Sequence, residues 1–291
     1  MSERIGHFGI RKHLEIILNF MRQNIQARYF WIQWSLPFRI ANLAVGVAIW
    51  FFFGSIFRGS NILDAYGGDF MSYLILGLAV NTVLSHSLNG YYNAVSSAYT
   101  GAIESGGSRI TMMDYIMLAR IPVTTYIIAQ VADGYLESFA DLIAYLVIGL
   151  CFFKVQIKFT SNLPIALLAL VLGIIGTSGL GLISASMFWL INARASNEPI
   201  RWVLNLLTSI LAGVYFPPSL LPSNIQLLSY CLPQTFTLII VRRALLTTSP
   251  WEDLAPYIGV LILFSIVLCY IGLRMFRYSL EVGKKKATIW S

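Results

Sequence analysis

Charge is scarce in this 291-residue chain. Asp, Glu, Lys and Arg make up 11% of it, against about 25% in an ordinary soluble domain. The hydrophobic share is 57% and the mean hydropathy +0.71. The deficit excludes an ordinary globular enzyme, and the apolar residues fall in runs of membrane-crossing length. Cysteine is nearly absent: Cys151, Cys231 and Cys269 are odd in number, far apart and set in apolar sequence, which gives neither a disulfide framework nor a thiolate metal motif. The three histidines, His7, His13 and His86, stand alone. The chain has no Walker motif, no Ser-His-Asp cluster and no His/Cys ligand spacing. It is therefore expected to be no enzyme and to hold no cofactor or metal. The runs do not alternate in polarity, which argues against a β-barrel. The first thirty residues are amphipathic, without the short apolar core of a cleavable leader.

An all-α polytopic membrane protein is expected. Ile10, Leu14, Ile17, Leu18, Met21 and Ile25 fall on one face of a helix over Ile10–Arg28, with Arg11, Lys12, Glu15, Arg22 and Gln26 on the others; such a helix lies in the membrane interface. With Tyr29, Trp31 and Trp34 at headgroup level, residues 1–38 form a cytoplasmic N-terminus. A transmembrane domain over 39–276 follows, with spans at about 40–57, 70–97, 123–153, 163–191, 202–216 and 255–276. Residues 277–291 form a basic tail. The fourth span carries Gly173, Gly176, Gly179 and Gly181, the chemistry of close helix packing rather than of a phosphate loop. Residues 217–249 hold two apolar pieces, each too short to cross, bounded by Pro or charge, and read as re-entrant or interfacial.

Six spans put both termini on one side. That side, with the 98–122 loop and the 192–201 loop, holds fifteen of the twenty Lys and Arg, so it is cytoplasmic by the positive-inside tendency. The net charge of +7 sits at the ends of the apolar runs and is a topology signal, with no nucleic-acid partner implied.

Three polar features interrupt the hydrocarbon character. The loop 98–122 carries Glu104, Arg109, Asp114, Tyr115 and Arg120, a Gly-Gly break, and a segment of about twelve residues able to form a short helix. Its Ile110, Met112, Met113, Ile116, Met117 and Leu118 make it too apolar for a bare connector, and Met-rich surfaces suit adaptable contacts. In the second span Asn81, Ser85, Asn89 and Asn93 recur every four residues beside His86; in the third, Asp133, Glu137 and Asp141 do the same. Each set lies on one helix face. A carboxylate near the bilayer centre costs about 2.5–3.5 kcal/mol on insertion scales, so the acids should avoid lipid. Both stripes, Asn81, Ser85 and Asn89 with Asp133, Glu137 and Asp141, either line a translocation route or its cytoplasmic gate, favouring a cationic or amphiphilic substrate, or bond to a neighbouring helix or to water at the inner surface. Arg242 and Arg243 are read as outer headgroup anchors.

At three places the residues match a family pattern. These are Gly-Gly-Asp-Phe-Met-Ser-Tyr at the entry to the second span, with Tyr73 and Gly77; Glu104-Ser105-Gly106 with the Pro122 stop; and the stretch 211–246, where Gly213, Phe216, Pro217, Pro222, Pro233 and Arg242 fall at the expected positions. The chain resembles the permease subunit of type-2 ABC exporters over nearly its whole length. Cys231-Leu232-Pro233 stands where that family has Asn-Pro, and the 98–122 loop is longer than its commonest form. The resemblance implies that the 98–122 loop bears a coupling helix seated on a separate ATP-binding cassette subunit. It implies that 217–249 closes the exit as an outer gate, with Phe216, Pro217, Pro222 and Pro233. It also implies a transporter of two permease chains, identical or homologous, and two ATPase subunits, which hold the ATP and Mg, within a lipid membrane. Drug, lipid and glycoconjugate substrates stay open. The alternative is a membrane scaffold or enzyme without an ATPase partner. A secondary transporter would show inverted repeats, and none is seen.

Overall fold

In a computed structural model of the chain, the residues described are 10–54, 66–100, 102–105, 108–155, 157–158, 162–190 and 199–289. The chain is predominantly helical. Its elements are α1 (Ile10–Gly54), α2 (Phe70–Thr100), β1 (Ala102–Ser105), β2 (Ser108–Thr111), α3 (Met112–Leu118), α4 (Val123–Phe152), α5 (Leu163–Leu190), α6 (Pro199–Leu211), α7 (Ser223–Tyr230), α8 (Pro233–Arg242) and α9 (Trp251–Ile289). A 3₁₀ turn at Pro218–Leu220 and a π turn at Arg243–Thr247 complete it.

Four helices are long and apolar enough to cross a membrane: α2, α4, α5 and α9. The other two expected spans take different forms. The entry helix and first span are one continuous helix, α1, running through Pro37. Among its described residues the apolar part, Pro37–Ile49, is short, and the expected end of that span beyond Gly54 lies outside the described residues. The fifth expected span stops at Leu211. Gly213 takes a left-handed φ of +80°, and the backbone then turns through Pro217 and Pro218. The thirteen residues of α6 measure about 20 Å at 1.5 Å each, less than the roughly 30 Å hydrocarbon core. Beyond them α7 and α8 meet at 90°, the geometry of a broken span or of a re-entrant loop.

One loop departs locally from the predominantly helical architecture. The start of the 98–122 loop is a two-stranded antiparallel hairpin with Ala102 opposite Thr111 and Glu104 opposite Arg109. Two residues, Gly106 and Gly107, separate the strands, the spacing of a tight hairpin turn. The helix behind it is therefore seven residues, not twelve.

Side-chain contacts fix the helix directions. From α1 to α4, His13 is hydrogen-bonded with Thr125 at 2.7 Å, Asn24 donates to Asp133 at 3.0 Å, and Arg39 reaches Asp141. The numbers rise together, so α1 and α4 are parallel. Between α2 and α4, Thr82 meets Ser138 and His86 meets Val131, the antiparallel order. Tyr92 packs on Phe188 and Gly181 on Ser87, so α2 and α5 are parallel. Ser265 donates to the Leu172 carbonyl and Trp189 packs on Phe276, so α5 and α9 are parallel. Hence α2, α5 and α9 run one way and α1 and α4 the other. The end of the bundle where α1 and α4 begin is also where α2, α5 and α9 finish, and it carries the hairpin and α3. Because α5 and α9 are parallel, the chain between them traverses the bundle an odd number of times.

Glycine on α5 makes this packing possible. A Cβ at Gly181 would stand 2.5 Å from the Ser87 carbonyl oxygen, and one at Gly179 2.7 Å from the Cys269 backbone nitrogen. Both obstacles are backbone, so neither can yield, and small residues at such crossings are what membrane helix packing requires.

Candidate functional site

The α3 end comes first. Met113 and Ile116 are buried in the bundle, while Met112, Tyr115 and Leu118 are exposed, Leu118 to 80%. Asp114 sits exposed in the first turn, where a carboxylate suits the helix dipole. The helix closes with the Ile121 N–H donating to the Ile116 carbonyl at 3.1 Å and Arg120 left-handed at φ 53°, a Schellman ending at a position glycine favours. Arg120 is exposed. The backbones of Glu104 and Arg109 pair in the hairpin; their side chains lie outside what the structure describes.

A ladder of charge joins α1 to α4. Arg28 is ion-paired with both Asp133 and Glu137; Arg39 is paired with Asp141 at 2.6 Å and lies 3.7 Å from Glu137. Asp133 is 1% exposed and its Oδ1 has no hydrogen-bond partner, while Oδ2 accepts from Asn24 and Arg28. Asp133 to Asp141 covers about 12 Å of helix. The acidic stripe is thus spent on the neighbouring helix at every rung. What α1 leaves outward is mixed: Leu14, Leu18 and Ile25 are exposed beside Arg11, Lys12, Glu15, Arg22 and Gln26, while His13, Asn24 and Arg28 face α4. A helix that exposes both apolar and charged side chains suits an interface between lipid and water.

The polar stripe of α2 is divided rather than gathered. Asn89 and Asn205 of α6 form a reciprocal amide pair at 2.9 and 3.0 Å. Ser85 offers its carbonyl to Asn89 at 3.0 Å. Asn81 is half-buried and Asn93 exposed. His86 is hydrogen-bonded to the Val131 carbonyl at 3.0 Å and packs edge-on against Tyr135, with Gly90 and Gly134 leaving room for its ring.

At the opposite end from α3, the headgroup reading of Arg242 is overturned. Its side chain is 1% exposed. Nε donates to the Tyr73 carbonyl at 3.1 Å, Nη1 to Gly213 at 2.5 Å and Nη2 to Val214 at 2.6 Å, and the guanidinium lies 3.5 Å from the Tyr73 ring centroid. The Tyr73 hydroxyl also donates to Gly213, at 2.8 Å. No carboxylate among the described residues pairs with it. Gly77 is needed here: a Cβ would stand 2.7 Å from the Val214 carbonyl and collide with the guanidinium. Tyr73, Gly77, Gly213 and Arg242, distant in sequence and each part of the family-like pattern, meet at one point.

Of the gate residues, Pro217 is buried ahead of the 3₁₀ turn, Pro222 is exposed ahead of α7, Pro233 is buried in the first turn of α8, and Phe216 is half-buried beside Tyr215. Near them, burial pushes the Tyr66 phenol above its ordinary range, so it stays neutral. Sequence reasoning missed Arg28 and Arg39 as partners, counting them only as topology charges; the signal was the match between two Arg eleven residues apart and three acids at four-residue spacing. Among the described residues no group of His, Cys, Asp or Glu is placed to hold a metal ion. Compared with known proteins, the chain matches no family model and no curated sequence.

Proposed function

We propose that the chain is the membrane subunit of an ATP-driven exporter, with α3 the element on which a separate ATP-binding cassette subunit presses. The observation that carries this is the two-sided character of α3. Met113 and Ile116 bind it to the bundle, while Met112, Tyr115 and Leu118 face away from it at the end shared by the hairpin. Apolar side chains of that size on an exposed seven-residue helix need a partner, and a push on α3 passes directly to the ends of α2 and α4. The resemblance in the 211–246 stretch and at Tyr73 and Gly77 supports the same reading.

In this proposal the α3 end is cytoplasmic in a plasma or inner membrane, and both termini lie inside. The chain makes six crossings, with α6 and its extension as the fifth and α7–α8 re-entrant, which meets the odd-crossing requirement between α5 and α9. The functional unit holds two such chains and two ATPase subunits, which bind the ATP and Mg. Substrate moves past α2, α4 and the α1 seam toward the 216–233 gate. Because the acids are paired with Arg28 and Arg39, an amphiphile of drug, lipid or glycoconjugate type fits this route better than a bare cation.

The test is purification from native membranes in mild detergent. A soluble nucleotide-binding chain in equal amount, with ATP hydrolysis by the complex, is the expected result. The chain arriving alone and inert would leave the scaffold or enzyme reading instead.

A further inference from the structure

Arg242 and Arg243 are adjacent in sequence and opposite in circumstance. Each guanidinium nitrogen of Arg242 donates to a carbonyl oxygen, the Tyr73 ring lies against it, and the side chain is 1% exposed. Arg243 begins the π turn that ends α8, a local widening of the helix often found at functional sites. Its guanidinium lies 5.1 Å from the Tyr257 ring and 5.9 Å from the Tyr66 ring. Its Nε is buried with no hydrogen-bond partner.

No described acid near Arg243 in sequence is paired with it; Asp64 lies outside the described residues. Asp69 accepts from the Met71 and Ser72 backbone at the start of α2. Glu252 and Asp253 sit exposed in the first turn of α9, and neither they nor any other described carboxylate pairs with Arg243. Tyr66 is protonated and cannot serve as the anion. Its own position is fixed by edge-on packing against Tyr73 at 5.2 Å. The result is a half-buried cation near two aromatic side chains with no counter-charge among the described residues. Aromatic contacts occupy the faces of a guanidinium and leave its N–H edge, the edge that matches the oxygens of a phosphate in bidentate fashion.

We propose that Arg243, between Tyr66 and Tyr257, is a phosphate-binding site, filled by the phosphodiester of a membrane lipid. The lipid source follows from depth. The site lies where α2 and α9 begin and α4 ends, the end of the crossing helices, where lipid phosphates lie in any bilayer that these helices span. The assignment needs only the membrane setting and stands apart from the ATPase proposal.

The experiment uses the full chain, purified in detergent and stripped of lipid. Phenylglyoxal modification of Arg243 is followed by mass spectrometry with dioleoylphosphatidylglycerol, with diolein, which lacks the phosphate, or with inorganic phosphate. Phosphatidylglycerol should slow the modification about tenfold or more, as a charge-assisted bond of 1.5–3 kcal/mol implies, and diolein should not. Equal protection by inorganic phosphate would support the site and reassign its source to a soluble phosphate compound. Unchanged reactivity in all arms, or protection by diolein as strong as by phosphatidylglycerol, would overturn the proposal. Retention of phosphatidylglycerol in native mass spectra should fall by a similar factor in Arg243→Gln, less in Arg243→Lys, and not in Arg274→Gln, whose guanidinium stacks on Tyr270 farther along α9. The footprint on the natural chain decides the matter should the Gln variant not fold.

Discussion

Two sets of arginines hold this molecule together by opposite means. Arg28 and Arg39 lie in the α1–α4 seam, each about 40% exposed, and each is matched to carboxylates. Arg242 is fully enclosed and has no carboxylate partner among the described residues. The difference lies in what the local backbone offers. Along the seam both helices are continuous, their carbonyls are largely used internally, and side chains answer most of the charge, with Arg39 also donating to the Glu137 carbonyl at 3.3 Å. At Arg242 one partner segment is not helical: α6 stops at Leu211 and the backbone turns at Gly213, which frees the Gly213 and Val214 carbonyls. A helix end leaves carbonyls unsatisfied and carries about half a negative charge. Here the Gly213 and Val214 carbonyls beyond α6, with the Tyr73 carbonyl and ring, meet the guanidinium where no described acid does. In return Arg242 satisfies carbonyls that hydrocarbon could not.

This comparison predicts a hierarchy of damage. Arg242→Ala should be the most severe: the Tyr73 and Val214 carbonyls lose the guanidinium at about 1–3 kcal/mol each, while the Gly213 carbonyl keeps the Tyr73 hydroxyl. Arg242→Lys should rescue little, since one ammonium cannot reproduce the fork. Gly77→Val should resemble Arg242→Ala, and both should reduce the monodisperse fraction and the melting temperature in detergent. Arg28→Ala comes next. It strands the buried Asp133, and breaking a buried pair costs about 3–5 kcal/mol; adding Asp133→Asn should recover part of the loss, which a double-mutant cycle measures. A full sum of the two single losses in the double mutant would mean the rung is no coupled pair.

Smaller effects follow. Asn89→Ala and Asn205→Ala should each cost about 1 kcal/mol and together little more than one alone, the range for polar contacts between membrane helices. Arg120→Gly should be the mildest and opposite in sign, stabilising by about 1 kcal/mol through relief of the left-handed backbone. Loss of ATPase coupling in this more stable variant would show that the arginine is kept for its side chain.

The long apolar runs that became α2, α4, α5 and α9 were legible because membrane length and hydrophobicity are properties of composition. So was the glycine character of α5. The hairpin was legible too and was passed over: Ala-Ile-Glu-Ser-Gly-Gly-Ser-Arg-Ile-Thr carries the two-residue glycine turn between β-compatible flanks, but it stood inside a loop expected to be helical. Where α6 stops was hidden, because Leu211–Phe216 is as apolar as the helix before it and only Gly213 signals the turn. The fate of Arg242 was hidden more deeply. Its partners are backbone carbonyls, which every residue possesses, so no pattern of side chains announces them; Arg28 with Asp133, by contrast, is a side-chain match that could have been found by comparing spacings.

The proposal that energy enters through α3 has one direct test, sided labelling. Leu118→Cys is placed in a chain whose Cys151, Cys231 and Cys269 are replaced by serine, and a membrane-impermeant maleimide is applied to intact cells and to inverted vesicles. The account predicts labelling in inverted vesicles only, and shielding of that cysteine when the nucleotide-binding partner is present. Labelling from the outside of intact cells would contradict it.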